Sequence, residues 1–193
     1  MNNISIIPIN NLPEFEPKYD LADEIVKSFS SNNFVLKDKD VIVITQKIVS
    51  KVEDRLIKND NESIEKLIQQ ESLEILRKRG DTVIARTKHG FICANAGIDK
   101  SNIEKGSVLL LPEDPDKTSR DIRKKIEHVT NKKISIIISD TFGRAWRKGQ
   151  TNVAIGSSGI EPLESYIGKK DAFDNELFAT EIAIIDELAG AAE

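Results

Sequence analysis

The chain has 193 residues, a formal net charge of −4, and 39 % hydrophobic against 31 % charged residues, which places it among ordinary globular domains and excludes chain-wide disorder. An acidic chain with 5 % aromatic residues and no basic patch is not built to hold nucleic acid by bulk charge or stacking. One cysteine excludes a disulfide framework or a multi-cysteine zinc site, and without an apolar run near 20 residues or a basic-then-apolar leader the expectation is a soluble protein of a reducing cytoplasm, with no membrane partner.

Apolar runs alternate with amphipathic stretches, the pattern of a mixed α/β (α+β) fold. Residues 4–9 are a β-rich run stopped by Asn10 and Asn11. Asp20 is placed to cap a helix whose apolar face carries Leu21, Ile25 and Phe29. The β-branched run 41–45 predicts a strand buried on both faces. Residues 62–78 predict one helix, with Ile64, Leu67, Ile68, Leu73, Ile75 and Leu76 inward and Gly80 at its end. Residues 82–86 and 91–94 predict a strand pair turning near His89 and Gly90. A strand over 108–111 ends at Pro112, and Asp114 or Asp116 caps a helix over 117–129 with Ile122 and Ile126 one turn apart. The clearest strand is 134–138, which runs into Ser139, Asp140 and Thr141. Residues 183–185 predict a last strand before helix formers up to Glu193. No repeat, low-complexity tract or Pro/Gly-rich linker divides the chain, so 1–193 reads as a single domain.

The chemistry concentrates after the strands, where open α/β sheets gather ligands. Residues 139–150 join Asp140 and Thr141 to Arg144, Arg147 and Lys148: a carboxylate beside a hydroxyl suits a hard divalent cation, and the cations suit anionic oxygens. The same residues equally suit a turn-closing aspartate and solvated surface charges. Residues 93–102 leave a second strand with Gly97 for a tight turn and Asp99 and Asn102 as polar groups, although Asx-turn chemistry also explains that spacing. After the 41–45 strand, Ser50 and Lys51 stand within reach of an anion. Neither a P-loop nor a G-x-G-x-x-G fingerprint is present. His128 reads as solvated, His89 as a turn residue and Cys93 as a buried thiol.

Taken together, several ordered blocks resemble the GTP-dependent γ-glutamyl ligases that add L-glutamate to the precursor of the deazaflavin coenzyme F-420. They are Leu12-Pro13-Glu14-Phe15, the block from Val43 to Lys51, the block from His89 to Asn102, Leu110-Leu111-Pro112-Glu113-Asp114-Pro115-Asp116, Ser139-Asp140-Thr141-Phe142-Gly143-Arg144, Val153-Ala154-Ile155-Gly156 and Asp186-Glu187-Leu188-Ala189. The resemblance implies a guanine nucleotide at Leu12, Pro13, Glu14, Phe15, Gln46, Lys51 and Asn102. It implies magnesium or manganese at Asp99, Asp140 and Thr141, with Asp99 and Asp140 the catalytic pair, and potassium as an associated ion. It further implies a mixed α/β fold of the family's own kind, assembled as an intertwined homodimer. The implied reaction phosphorylates the precursor carboxylate with GTP, and the amine of L-glutamate then displaces phosphate. Two departures stand out. Family chains continue beyond the Asp186-Glu187-Leu188-Ala189 block, so the expectation is a chain lacking the family's C-terminal segment; an impaired nucleotide-binding relative, or a ligase for another carboxylate, are the alternatives. Members also often show Pro-Gly-Asp-Asp where this chain has Pro17-Lys18-Tyr19-Asp20.

Overall fold

The computed structural model describes residues 3–58 and 64–193. In chain order the elements are α1 (Leu21–Ser31), β1 (Val41–Thr45), α2 (Gln46–Val52), β2 (Leu56–Lys58), α3 (Ile64–Glu71), β3 (Ser72–Arg79), β4 (Thr82–Thr87), β5 (Ile92–Ala94), β6 (Ser107–Leu109), α4 (Pro115–Thr130), β7 (Ser135–Arg144), β8 (Arg147–Ser158), β9 (Glu164–Ser165), β10 (Glu181–Ile182) and α5 (Ile184–Ala191). This is a mixed α/β architecture, as expected. None of the helices among the described residues is long and apolar enough to cross a membrane.

The central sheet has the order β1-β7-β8, with β1 parallel and β8 antiparallel to β7. Its middle strand carries Ile136, Ile137 and Ile138, all fully buried. Strand β1 forms where the β-branched run predicts it, but as an edge strand only Ile44 is fully buried. Helix α4 covers the sheet with Ile122 and Ile126, which join Ile25 and Phe29 of α1 in the main core. Its start is set by Asp114, whose carboxylate accepts the N–H of Lys117 at 2.8 Å and so satisfies one of the helix's open donors; Asp116 instead takes the N–H of Ser157 at 2.8 Å. Helix and sheet touch closely at Gly156: a Cβ there would lie 2.5 Å from the carbonyl carbon of Pro115. Helix α5 is tied to β8 by the carboxylate of Asp186, which accepts the N–H of Ala154 at 2.8 Å.

A second sheet, β3-β4-β5, is an antiparallel meander with its own small core of Ile68, Val83, Ala85 and Ala96. The strand pair predicted around His89 and Gly90 is β4 and β5. The helix predicted over 62–78 is only half its expected length. Its first two positions lie outside the described residues, the helix ends at Glu71, and Ser72–Arg79 is a strand. Leu73, Ile75 and Leu76 are 65 %, 43 % and 45 % exposed rather than inward. The physical reason is Gly80-Asp81: a glycine with φ +58 opens a two-residue hairpin turn into β4, so the residue taken as a helix stop folds the chain back as a strand.

Three further expectations change. Residues 4–9 form no strand: among the described residues none pairs with them, and most of their side chains are exposed. Residues 183–185 are not a strand: β10 precedes them and α5 begins at Ile184. Residues 139–150 are not a loop after a strand; β7 continues through Asp140 and Thr141 to Arg144 and returns as β8.

Candidate active site

Parallel pairing brings the polar residues together. Thr45 at the end of β1 lies opposite Ser139 of β7, so the residues that follow, Gln46 and Lys47 on one side and Asp140 and Thr141 on the other, leave the pair side by side. The third contributor is the turn after β5. Asn95, Ala96 and Gly97 all have positive φ (51°, 54° and 74°), a conformation that costs an L-residue energy and that surrounding structure must hold. Here Asn95 Oδ1 accepts the N–H of Val83 at 3.0 Å, and a Cβ at Gly97 would lie 2.6 Å from Leu111 Cδ1. The chain then reaches Asp99, whose backbone pairs with Leu109 at 2.9 Å in both directions.

Asp99 and Asp140 sit in one electrostatic neighbourhood, with their pKa values displaced in opposite directions. Burial works to raise the pKa of Asp99, but the N–H of Ser101 at 2.7 Å and the side chains of Lys47 and Ser101 outweigh it and hold the carboxyl below its ordinary range. Lys47 Nζ lies 3.0 Å from Asp99 Oδ2 and 2.9 Å from Ser101 Oγ. Asp140 is pushed from 3.8 up to about 6, first by burial and also by the charge of Asp99, against the N–H of Thr141 and the charge of Lys47. Thr141 Oγ1 donates to Asn152 Oδ1 at 2.7 Å across the β7–β8 pair, and Asn152 Nδ2 donates in turn to Glu193. Cys93 lies behind this group; burial, and then the charge of Asp140, push its thiol up to about 11.

A carboxylate whose ionisation is opposed by burial and by a second carboxylate is a place where a cation is the missing charge. Among the described residues no three His, Cys, Asp and Glu side chains form a metal-holding group. The oxygen donors here are the two carboxylates of Asp99 and Asp140, with the Thr141 hydroxyl engaged on Asn152. Carboxylate and hydroxyl oxygens are the kind that magnesium or manganese would take together with water or a bound anion.

A cleft of about 370 Å³ is lined by Glu14, Phe15, Glu16, Pro17, Lys51, Leu56, Asn102, Ile103 and Glu104, and Asn102 lies three residues past Asp99, although none of Asp99, Asp140 and Thr141 lines it. Four of the positions expected to meet a nucleotide, Glu14, Phe15, Lys51 and Asn102, thus share one wall-to-wall space. Lys51 forms an ion pair with the exposed Glu14, while the N–H of Lys18 reaches Val52 O at 3.3 Å and anchors the segment to α2. Residues 16–19 make a turn with Pro17 second and Lys18 third at φ +73, closed by the N–H of Tyr19 on Glu16 O at 3.3 Å. That turn asks for glycine at its third position, where members of the resembling family often have it.

Other expected positions fall elsewhere. Leu12 packs against the main core and lines a second space of about 280 Å³, which also takes in Thr45 and Ser139 at the end of the β1–β7 pairing and Asn152, the partner of Thr141. Pro13 lines neither space. Gln46 is fully buried: its Oε1 accepts the Ser50 hydroxyl at 2.8 Å, and its Nε2 has no partner among the described residues. Arg144, Arg147 and Lys148 are exposed at the far end of the β7–β8 hairpin, where Arg144 donates to Lys148 O at 2.7 Å. Lys47 and Ser101 were not singled out by spacing. The signal that would have found Lys47, parallel pairing of β1 with β7, is not written in either segment.

A profile of the F420-0:Gamma-glutamyl ligase family matches residues 10–67 and 57–193. The coenzyme F420:L-glutamate ligase of Methanococcus maripaludis strain C7 is 44 % identical over 191 residues, covering 90 % of this chain and 74 % of that protein. The protein of the same name from Methanocaldococcus jannaschii is 43 % identical over 176 residues, covering 82 % and 70 %. Matches of that extent, running through Lys51, Asp99, Asn102, Asp140 and Thr141, leave one assignment: the chain belongs to the F420-0:gamma-glutamyl ligase family.

Proposed function

We propose that this chain joins L-glutamate to the carboxylate of the deazaflavin precursor F420-0, using GTP and magnesium or manganese, and releases GDP and phosphate. The names of its relatives support the ligation, and one observation supports the mechanism: Asp140 meets the charges of Asp99 and Lys47, while Asn102, three residues past Asp99, and Lys51, four past Lys47, line one cleft with Glu14 and Phe15. Phosphoryl transfer asks a protein for positioning and charge neutralisation more than for a covalent group. A divalent ion held by Asp99, Asp140 and Thr141 would supply the neutralisation of phosphate charge.

The chain's own residues do the rest. Lys51, with most of its side chain covered, steadies a phosphate once Glu14 yields it. Phe15 gives the cleft a buried apolar floor and Asn102 a polar rim. The precursor carboxylate attacks the γ-phosphorus, the bond to GDP breaks, and an acyl phosphate forms. The glutamate amine then attacks the acyl carbon, forming the amide and releasing phosphate. Assembly as a homodimer belongs to the same proposal, supported by the large apolar side chains left open on this chain, among them Trp146, Phe173 and Phe178.

The test is phosphate release from GTP. It should require both L-glutamate and the deazaflavin acceptor. GTP binding without release would support an impaired relative instead, and release with a different carboxylate would reassign the acceptor.

A further inference from the structure

Lys47 has no role in the mechanism above, yet it is the cation paired with Asp99. Its ammonium contacts Asp99 Oδ2 at 3.0 Å and Ser101 Oγ at 2.9 Å, and its charge also favours the ionised form of Asp140. The other titratable groups at this point are the two carboxylates themselves and Cys93, whose thiol is neutral. Lys47 is therefore the positive charge that balances the pair in the protein as it stands. Its side chain is 31 % exposed on a flexible four-carbon stem, so it has room to leave. An ammonium and a divalent ion cannot both sit on one carboxylate edge without like-charge repulsion in a partly desolvated place.

We propose that Lys47 is a resident counter-ion that holds Asp99 in the metal-free protein, must be displaced by an incoming divalent cation, and is released toward the phosphates of the bound nucleotide. This rests on the metal reading above. It makes metal and nucleotide arrive as a pair: the metal alone must strand an ammonium, whereas a phosphate gives that ammonium a new partner.

The measurement is manganese binding to the purified chain at fixed pH and salt, followed by the electron paramagnetic resonance signal of free Mn2+. Wild type, Lys47→Met, Lys47→Arg and Asp140→Asn are titrated with and without GDP. Removing the competing charge in Lys47→Met should tighten manganese binding on the order of tenfold, whereas Lys47→Arg, which keeps the charge, should bind as wild type does. GDP should raise manganese affinity by a larger factor in wild type than in Lys47→Met. Manganese bound no more tightly by Lys47→Met, or equal GDP factors in both, overturns the inference. If manganese still binds wild type and is lost in Asp140→Asn, the metal reading survives that failure. Binding to none of the four proteins removes the metal reading and the inference with it.

Discussion

Replacing Asp140 by Asn should stabilise the metal-free protein while abolishing its activity. Raising a carboxyl from 3.8 to about 6 means that ionising it costs the native state about 3 kcal/mol, at about 1.4 kcal/mol per pH unit. The sign follows from proton counting. Between pH 4 and 6 the native protein keeps a proton that the unfolded chain has lost, so stability falls as pH rises through that window and stays low above it. Asn has nearly the volume of Asp and keeps an oxygen for the N–H of Thr141, now bound at 2.8 Å, but it adds amide donors that need partners. A net gain of about 1–3 kcal/mol at pH 7.5 is expected, or roughly 2–10 °C in Tm for a chain of this size.

The assay is thermal unfolding of both proteins in chelator from pH 4 to 8. Comparing the two cancels the distant carboxyls that titrate the other way, such as Asp20 and Glu127. The difference should be largest above pH 6 and close near pH 4. Saturating manganese should then reverse the order by stabilising only the wild type, by about 2.7 kcal/mol at a hundred times its Kd. An Asn variant no more stable than wild type at pH 7.5, or a difference independent of pH, would refute the buried-charge reasoning.

Other consequences can be checked separately. With its thiol near 11, Cys93 should resist iodoacetamide at pH 8 in the native protein and react once urea unfolds it, as read by intact mass; native labelling would contradict its burial. Gly156→Ala should destabilise by about 3 kcal/mol in urea titration, because the new methyl meets the Pro115 backbone rather than a side chain that can turn away. Lys51→Met should weaken GDP binding by about tenfold or more in calorimetry, and unchanged affinity would remove Lys51 from the proposed nucleotide site.

The parts of the fold legible in the sequence were those whose pattern has one reading. Leu21, Ile25 and Phe29 behind Asp20 can only be a capped amphipathic helix, and Ile136 to Ile138 between polar neighbours can only be a buried strand. Residues 72–79 are ambiguous in sequence because Leu73, Ile75 and Leu76 fit a helical face as well as a strand; a partner decides, and the partner is β4, across Gly80-Asp81. Residues 4–9 show the converse, β-rich but unpaired. For the site, Asp140 and Asp99 were legible as carboxylates next to strands. Their meeting depends on β1 lying parallel to β7, with paired residues 94 apart in sequence, and on three consecutive left-handed residues at 95–97. Neither is a local property. Lys47 was therefore invisible until the strands were paired.

Mass spectrometry of the glutamate-free deazaflavin after incubation with this chain, GTP, L-glutamate and manganese tests the proposed activity most directly. A gain of one or more glutamyl units, absent without GTP and absent with Asp140→Asn, is the predicted result. An unchanged acceptor mass beside a folded chain that binds GTP and manganese would contradict it.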